Sequence, residues 1–233
     1  MTRGVTPDLD RRARMHAALG DPVRLAIVES LALADAAPGE LSAVYRLPTN
    51  LMAHHLGVLE EAGLIHRVRS EGDRRRSYVQ LLLDDPAVAA LIHPQPAWGP
   101  APRVVFVCTH NSARSQLAAA AWTRISPLPA ASAGTHPADR VHPRAVRIGR
   151  QHGLHLEHAH TAQLVDVVLP DDLVVTVCDR AHEELPNALP ALRPWLHWAV
   201  SDPAPIDTDE AFEAAYQQIK PRIERLAHAA SER

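Results

Sequence analysis

Two cysteines in 233 residues frame the chemistry open to this chain. The first, Cys108, closes the apolar run Val104-Val105-Phe106-Val107 and opens the stretch CTHNSARSQ. Five residues separate it from Arg114, and an alanine-rich, helix-like segment follows Ser115. A strand that stops at a cysteine and passes into a helix puts that cysteine beyond the carboxyl end of the strand, where α/β sheets bind ligands. The intervening turn, Thr109, His110, Asn111, Ser112 and Ala113 up to Arg114, offers backbone N–H groups and the positive end of a helix dipole, a setting for a tetrahedral oxyanion. Arg114 adds a planar, permanently charged fork able to engage two oxyanion oxygens. The same positive surroundings favour the thiolate, the nucleophilic form of cysteine. Ser115 can hydrogen bond the sulfur from the helix start, and Asn111 can hold the loop by side-chain bonds to backbone. The other cysteine, Cys178, ends a second apolar run, Val174 to Val177.

The elements around these residues alternate. A buried-type strand is expected over 103–107, a helix over 115–125, a short strand over 130–133, a helix over 143–153, strands over 174–177 and 195–200, and a long amphipathic helix over 209–229. That alternation implies a mainly parallel sheet covered on both faces. Ahead of it, HPQPAWGPAP (93–102) carries four prolines and a glycine. Proline lacks a donor N–H and restricts its predecessor, so this stretch reads as a linker between domains.

The segment before the linker has a different order. Helical spacing runs over 11–19 and 22–34, with Leu25, Val28 and Leu31/Ala32 on one face and GDP (20–22) as the break. A short helix is expected over 40–45. Pro48 then stops the chain and Thr49 caps a helix over 50–62, which carries Leu51, His55, Val58 and Ala62 along one side and ends at Gly63. His55 reads as a core histidine. Two strand-like runs, 64–70 and 77–83, flank the turn Glu71-Gly72-Asp73-Arg74. Helices followed by a basic hairpin make a winged helix. The domains expected are therefore 1–92, a linker at 93–102, and 103–233, an α/β fold class overall.

Composition fits that picture. The 22% charged content, net charge of -3 and 46% hydrophobic content are those of a globular protein. No apolar run approaches the roughly 18 residues that span a bilayer, and the N-terminal residues lack the apolar core of a secretion signal. A cytoplasmic location is expected, where thiols are kept reduced. His152, His155, His158 and His160 match no zinc spacing and are read as surface residues, so no metal is expected.

CTHNSARSQ, with Cys, Asn, Arg and Ser in order, and Ser132-Ala133-Gly134-Thr135 after it, resembles the low-molecular-weight protein tyrosine phosphatase family and its thiol-dependent arsenate reductase branch. The likeness covers about residues 102–230. It implies that Cys108 attacks the central atom and Arg114 binds the oxyanion. It also implies that Asp202, which precedes Pro203, protonates the leaving oxygen, and that Cys178 stands where the reductase branch keeps its second redox thiol. On that reading Cys178 attacks Cys108, releasing arsenite and leaving a disulfide. Three positions depart from the pattern: Leu185 stands where a third cysteine is expected, His110 where many members have glycine, and Ala113 where some have cysteine. No cofactor is implied beyond an external thiol reductant, thioredoxin or a small thiol such as mycothiol. A phosphatase, or an oxyanion sensor without turnover, are the other readings of the loop.

LPTNLMAHHLGVLEEAGL (47–64), with ALGDPVRLAIVESL before it and RSEGDRRRSYVQL after it, resembles ArsR-type winged-helix repressors over about residues 10–92. The resemblance implies DNA binding to a near-palindromic operator by a homodimer joined through its terminal helices. The second helix of the pair enters the major groove. Its exposed positions Thr49, Asn50, Ala53 and His54 face bases, with Asn50 suited to adenine edges and Ala53 to a thymine methyl. Arg67, Arg69, Arg74, Arg75 and Arg76 on the hairpin suit phosphates or the minor groove. Residues 1–94 contain no cysteine to hold arsenite. The reading is a DNA-binding repressor joined to an arsenate reductase, serving arsenic resistance.

Overall fold

The computed structural model describes residues 6–92, 99, 101–189 and 195–231. Most of the expected linker, 93–98 and 100, lies outside the described residues. The chain forms two compact units, Met1–Arg69 with Arg76–Gln95, and Ser70–Arg75 with Pro96–Arg233.

The first unit opens with helices α1 (Pro7–Leu19), α2 (Pro22–Leu31), α3 (Pro38–Tyr45) and α4 (Thr49–Glu61). Each of the first three has proline in its first turn, where the missing N–H costs nothing. Asp21 separates α1 from α2 and caps α2, accepting from the N–H groups of Val23 (2.9 Å) and Arg24 (3.0 Å). These bonds, with the Arg24 charge, hold its carboxyl below the usual range. Helix α4 departs from expectation at its start. Thr49 is its first helical residue, not its cap; Pro48 holds the cap position and offers no side-chain acceptor. Its end follows expectation: Gly63 has φ +71°, its N–H reaches Glu60 O (3.0 Å), and Leu64 N–H reaches Leu59 O (3.0 Å). A left-handed residue there favours glycine.

The apolar side of α4 is Met52, His55, Leu56 and Leu59, whereas Leu51 is exposed. Leu25 of α2 is likewise exposed, and Ile27, Val28 and Leu31 face the core. The rest of each expected stripe faces inward, Val28, Leu31 and Ala32 in α2 and His55, Val58 and Ala62 in α4, so only its first residue, Leu25 or Leu51, lies outside. Strands β1 (Ile65–Arg69) and β2 (Ser77–Leu81) pair antiparallel, and Ala36 bridges to Val79. A short helix, α5 (Pro86–Ala89), completes the unit. Met15, Ile27, Leu31, Met52, Leu56, Leu59, Leu64 and Val79 form its core, each such side chain contributing about 1.5–3 kcal/mol of burial.

The second unit runs β3 (Val104–Cys108), α6 (Arg114–Ile125), β4 (Ala130–Gly134), α7 (Pro143–Gln151), α8 (Leu164–Val167), β5 (Leu173–Thr176), α9 (Asp179–Ala188), β6 (Trp195–His197) and α10 (Asp209–Ser231). The four strands are parallel in the order β4-β3-β5-β6. Every residue of β3 and β5 is buried, as strands covered on both faces require. The chain moves one way from β3 to β4 and the other way from β5 to β6, so right-handed crossovers place α6 and α9 on opposite faces. Phe106, Trp122 and Trp198 meet in the core, with ring centroids 6.1 and 5.8 Å from Phe106. At the amino end of the sheet, Arg103 makes a two-point pair with the buried Asp172 (2.8 and 2.9 Å).

Candidate active site

The reversal of direction between β3 and β5 makes a switch point, the place where open α/β sheets bind ligands. Cys108 ends β3 and Cys178 follows β5, so both cysteines stand at that point. Both are free and buried.

The loop from Cys108 to Ala113 is held from outside by its carbonyl groups. Cys108 O accepts from Thr135 N (3.2 Å), Thr109 O from His136 N (2.8 Å), His110 O from Ala138 N (2.9 Å), and Ser112 O from His142 N (2.8 Å). Asn111 O accepts from Gln116 Nε2 (3.0 Å) and Ala113 O from Leu117 N (2.9 Å). In a trans peptide the N–H points opposite to the C=O. The N–H groups of Thr109 through Arg114 are thus turned away from these outer partners, and Asn111 N donates to Cys108 Sγ (3.2 Å). Six such N–H groups at the start of α6 have the chemistry of an anion nest.

Asn111 is the keystone of this loop. It is fully buried with φ +50°. Its Nδ2 donates to Ser115 Oγ (2.8 Å) and Ser132 Oγ (2.9 Å), and its Oδ1 accepts from Ala162 N (2.8 Å). Ser115 Oγ in turn lies 3.1 Å from Cys108 Sγ. The expected hydroxyl lies on the sulfur, whereas Asn111 braces the loop mainly through side-chain hydroxyls, with one backbone N–H, that of Ala162. Gly134 closes in from β4: a Cβ there would stand 2.7 Å from Thr109 O and 3.1 Å from Asn111 N, so only glycine fits. His110 is exposed at the rim and Ala113 buried before α6.

Arg114 is buried, its guanidinium donating to Val200 O (2.9 Å) and lying 3.0 Å from Asp202 Oδ2. Burial opposes its charge, but Cys178, Cys108 and Asp202 prevail and raise its pKa. Asp202 is partly exposed and accepts from Ala204 N (3.2 Å). An arginine, a cysteine sulfur and a carboxylate thus border one anion nest.

Cys178 caps α9 with its sulfur, which accepts from Ala181 N (3.4 Å), and it lies 3.4 Å from Thr109 Oγ1. Burial pushes its thiol pKa up, against the lowering influence of Arg114, Thr109 and the Ala181 N–H. Leu185 is fully buried on the same helix. Sequence reasoning did not anticipate the Val200 carbonyl, Gln116 or the N–H groups of 135–142, since backbone groups leave no side-chain signature. Gln116 had a signal, a polar residue two positions inside an alanine-rich helix.

In the first unit, Thr49, Asn50, Ala53 and His54 are all exposed on the first turns of α4. His55 is buried, with Nδ1 3.9 Å from Asp21 Oδ1 and without a hydrogen bond. Arg67, Arg69, Arg74 and Arg75 are exposed and Arg76 half-buried. Arg67 lies 3.3 Å from Glu60, Arg75 meets Asp73 at 2.9 Å, and Arg76 meets Glu40 at 2.8 Å. Exposed pairs of this kind are worth under about 1 kcal/mol, little obstacle to a phosphate. His155, His158 and His160 are exposed, while His152 contacts Glu213 at 2.8 Å and packs on Tyr216. No described helix is long and apolar enough to cross a membrane.

Comparison with known proteins agrees with this geometry. Residues 19–68 match a helix-turn-helix domain model. Arsenate reductase 1 of Staphylococcus epidermidis is 36% identical over 135 residues, covering 54% of this chain and 95% of that protein. Arsenate reductase 1 of Staphylococcus saprophyticus is 34% identical over 129 residues, covering 53% and 94%. Among solved structures, the tyrosine phosphatase AmsI of Erwinia amylovora shares the fold (TM-score 0.53, 20% identity, 57% of this chain and 96% of that one). Since residues 103–233, more than half of the chain, match the low molecular weight phosphotyrosine protein phosphatase model, the chain belongs to that family, with a helix-turn-helix domain fused in front.

Proposed function

We propose that this chain is an arsenate reductase fused to a DNA-binding repressor. The observation that carries the reading is the second thiol: Cys178 touches the side chain of Thr109, the neighbour of Cys108, at the switch point. A phosphatase releases its covalent intermediate with water and has no use for a thiol there. A reductase needs one, because reducing As(V) to As(III) takes two electrons. The arsenate reductases named among the relatives, at about one-third identity, support the same choice.

In the proposed reaction the Cys108 thiolate attacks arsenic in the nest formed by the N–H groups of Thr109, His110, Asn111, Ser112, Ala113 and Arg114. The Arg114 guanidinium holds the oxyanion, Ser115 and Asn111 orient the sulfur, and Asp202 protonates the departing oxygen, which leaves as water. Cys178 then attacks Cys108 Sγ. The S–S bond forms, the S–As electron pair stays on arsenic, and arsenite departs. One arsenate and two thiols thus give one arsenite, one water and one disulfide. With Leu185 in place of a third thiol, an external thiol such as mycothiol or thioredoxin restores the enzyme, at the disulfide or at the arsenate adduct. Two free thiols suit the cytoplasm.

The N-terminal part, 1–92, joined through 93–102 to the catalytic part, 103–233, binds operator DNA as a homodimer. Thr49, Asn50, Ala53 and His54 meet bases, and Arg67, Arg69, Arg74, Arg75 and Arg76 meet phosphate or the minor groove.

One experiment tests the catalytic reading without any reductant. Fully reduced protein mixed with arsenate should release one arsenite per chain and lose two thiols, and Cys108→Ser or Cys178→Ser should release none. Hydrolysis of an aryl phosphate with no arsenite formed would establish a phosphatase instead.

A further inference from the structure

The loop that carries Asp202 is tied to the anion nest by a second route besides Arg114, and His142 is its hinge point. The backbone N–H of His142 donates to Ser112 O of the nest (2.8 Å). Its ring Nδ1 accepts from Arg144 N (3.3 Å), capping α7. A neutral ring that accepts at Nδ1 carries its proton on Nε2, and Nε2 lies 3.5 Å from Asp207 Oδ1. The ring stacks on Phe212 of α10, centroids 4.6 Å apart. Asp207 has φ +50° and closes a turn by donating from its N–H to Pro203 O (3.0 Å). Arg144 Nε holds the same carboxylate at 2.8 Å, and Arg144 and Arg147 both hold Asp209 (2.6 and 2.7 Å). The connections form a closed circuit: Ser112, His142, Asp207, Pro203, Asp202, Arg114 and back to the nest.

We propose that His142 is a positioning residue that fixes Asp202 against the anion nest, so that it acts on proton delivery to the departing oxygen and not on oxyanion binding. This rests on the reading of Asp202 as the acid. Proton transfer by a positioned group contributes roughly 10²–10⁴-fold, and displacement by about 1 Å forfeits much of such a gain. Without the ring, Asp207 keeps Arg144 at 2.8 Å but loses its link to Ser112 and the nest, and outside its own turn Asp202 keeps Arg114 (3.0 Å) and the bond from its N–H to Glu71 (2.9 Å).

The test uses the full-length reduced protein and the rate of arsenite release in one turnover, measured against arsenate concentration. Two variants divide the roles of the ring. His142→Asn keeps a side-chain acceptor near the Nδ1 position for the α7 cap but cannot reach Asp207. His142→Gln keeps an N–H donor at the Nε2 distance. The Asn variant should lower the limiting rate roughly tenfold with the half-saturating arsenate concentration within twofold of wild type, and the Gln variant should restore the limiting rate to within about threefold. Adding His142→Asn to Asp202→Asn should lower the rate no further. A wild-type limiting rate in His142→Asn, a loss confined to half-saturation, equal impairment of Asn and Gln, or a further tenfold loss on the Asp202→Asn background would each overturn the proposal. Failure of the acid reading itself shows separately, as an Asp202→Asn protein with an unaltered limiting rate.

Discussion

Replacing Asn111 by alanine tests how the anion nest is held. The change removes two donated bonds, to Ser115 and Ser132, and one accepted from Ala162 N, all between 2.8 and 2.9 Å. At about 1 kcal/mol each these come to about 3 kcal/mol, and more if a buried partner finds no replacement. Alanine must also adopt φ near +50°, which costs a further 1–2 kcal/mol or so for a residue with a Cβ and no local side-chain bond. The expected loss is therefore about 4 kcal/mol, a large share of the roughly 5–15 kcal/mol that holds a domain together. At a urea slope of roughly 2 kcal/mol/M it lowers the unfolding midpoint by about 2 M. The described tryptophans, at 122, 195 and 198, all belong to the second unit. Tryptophan fluorescence follows that unit, and operator binding follows the first. Asn111→Gly separates the two contributions: it loses the same three bonds but is free at positive φ, so it should unfold at higher urea than Asn111→Ala. An alanine variant within about 1 kcal/mol of wild type, or a glycine variant less stable than the alanine one, would refute this account of the loop.

Other outcomes follow from single features. Gly134→Ala places a Cβ 2.7 Å from Thr109 O, so the nest must shift; single-turnover arsenite release should fall at least tenfold while operator binding in a mobility shift stays as in wild type. Cys178 carries a thiol pKa raised above its ordinary 9.0 by burial. Its thiolate is therefore scarce at neutral pH, and formation of the disulfide from the preformed arsenate adduct should quicken from pH 7 to 9; a flat profile for that step would count against Cys178 as the second nucleophile. The same shift has a stability counterpart. The folded state holds this proton more tightly than the unfolded chain, so the group's contribution is complete below its unfolded pKa and is lost as pH rises through the folded one. The thermal midpoint of wild type should accordingly drop more steeply above pH 9 than that of Cys178→Ser. On the DNA side, Arg74→Ala should weaken binding to all sequences alike and reduce the salt slope by about one; an unchanged slope would remove Arg74 from the phosphate contacts.

Much of the site was legible because its side chains occur in one short run. Cys108, Asn111, Arg114 and Ser115 span eight residues between a strand and a helix, and each meets the partner that its chemistry requires. The alternation of strands and helices likewise yields the sheet, and Gly63 ends α4 as expected. What escaped was carried by the backbone or by competition between contacts. The stretch THPADRVH (135–142) shows no periodicity, yet its N–H groups hold the carbonyl groups of the cysteine loop outward. Helix α9 has a proline inside it and no oxygen cap, because the Cys178 sulfur caps it, so neither usual helix signal was present. Thr49 looked like a cap by residue type alone, but the extended Leu47-Pro48 pair moved the helix start forward by one residue. The faces of α2 and α4 were read correctly except at Leu25 and Leu51, since periodicity fixes the direction of an apolar stripe less firmly at its first turn.

The outward-turned carbonyl groups of the nest have a consequence for selectivity. With every carbonyl from Cys108 to Ala113 already bonded to the protein, the cradle has its shape before any anion arrives, and it recognises charge and tetrahedral form, which phosphate and arsenate share. Under the proposed reaction the main discrimination then falls to the central atom: thiols reduce As(V) and leave P(V) untouched. Phosphate is thus a silent competitor at the same seat. Under the proposed reaction the protein works as a ratiometer, its output set by the proportion of arsenate to phosphate in the cell, so the same dose of arsenate weighs more when phosphate is scarce.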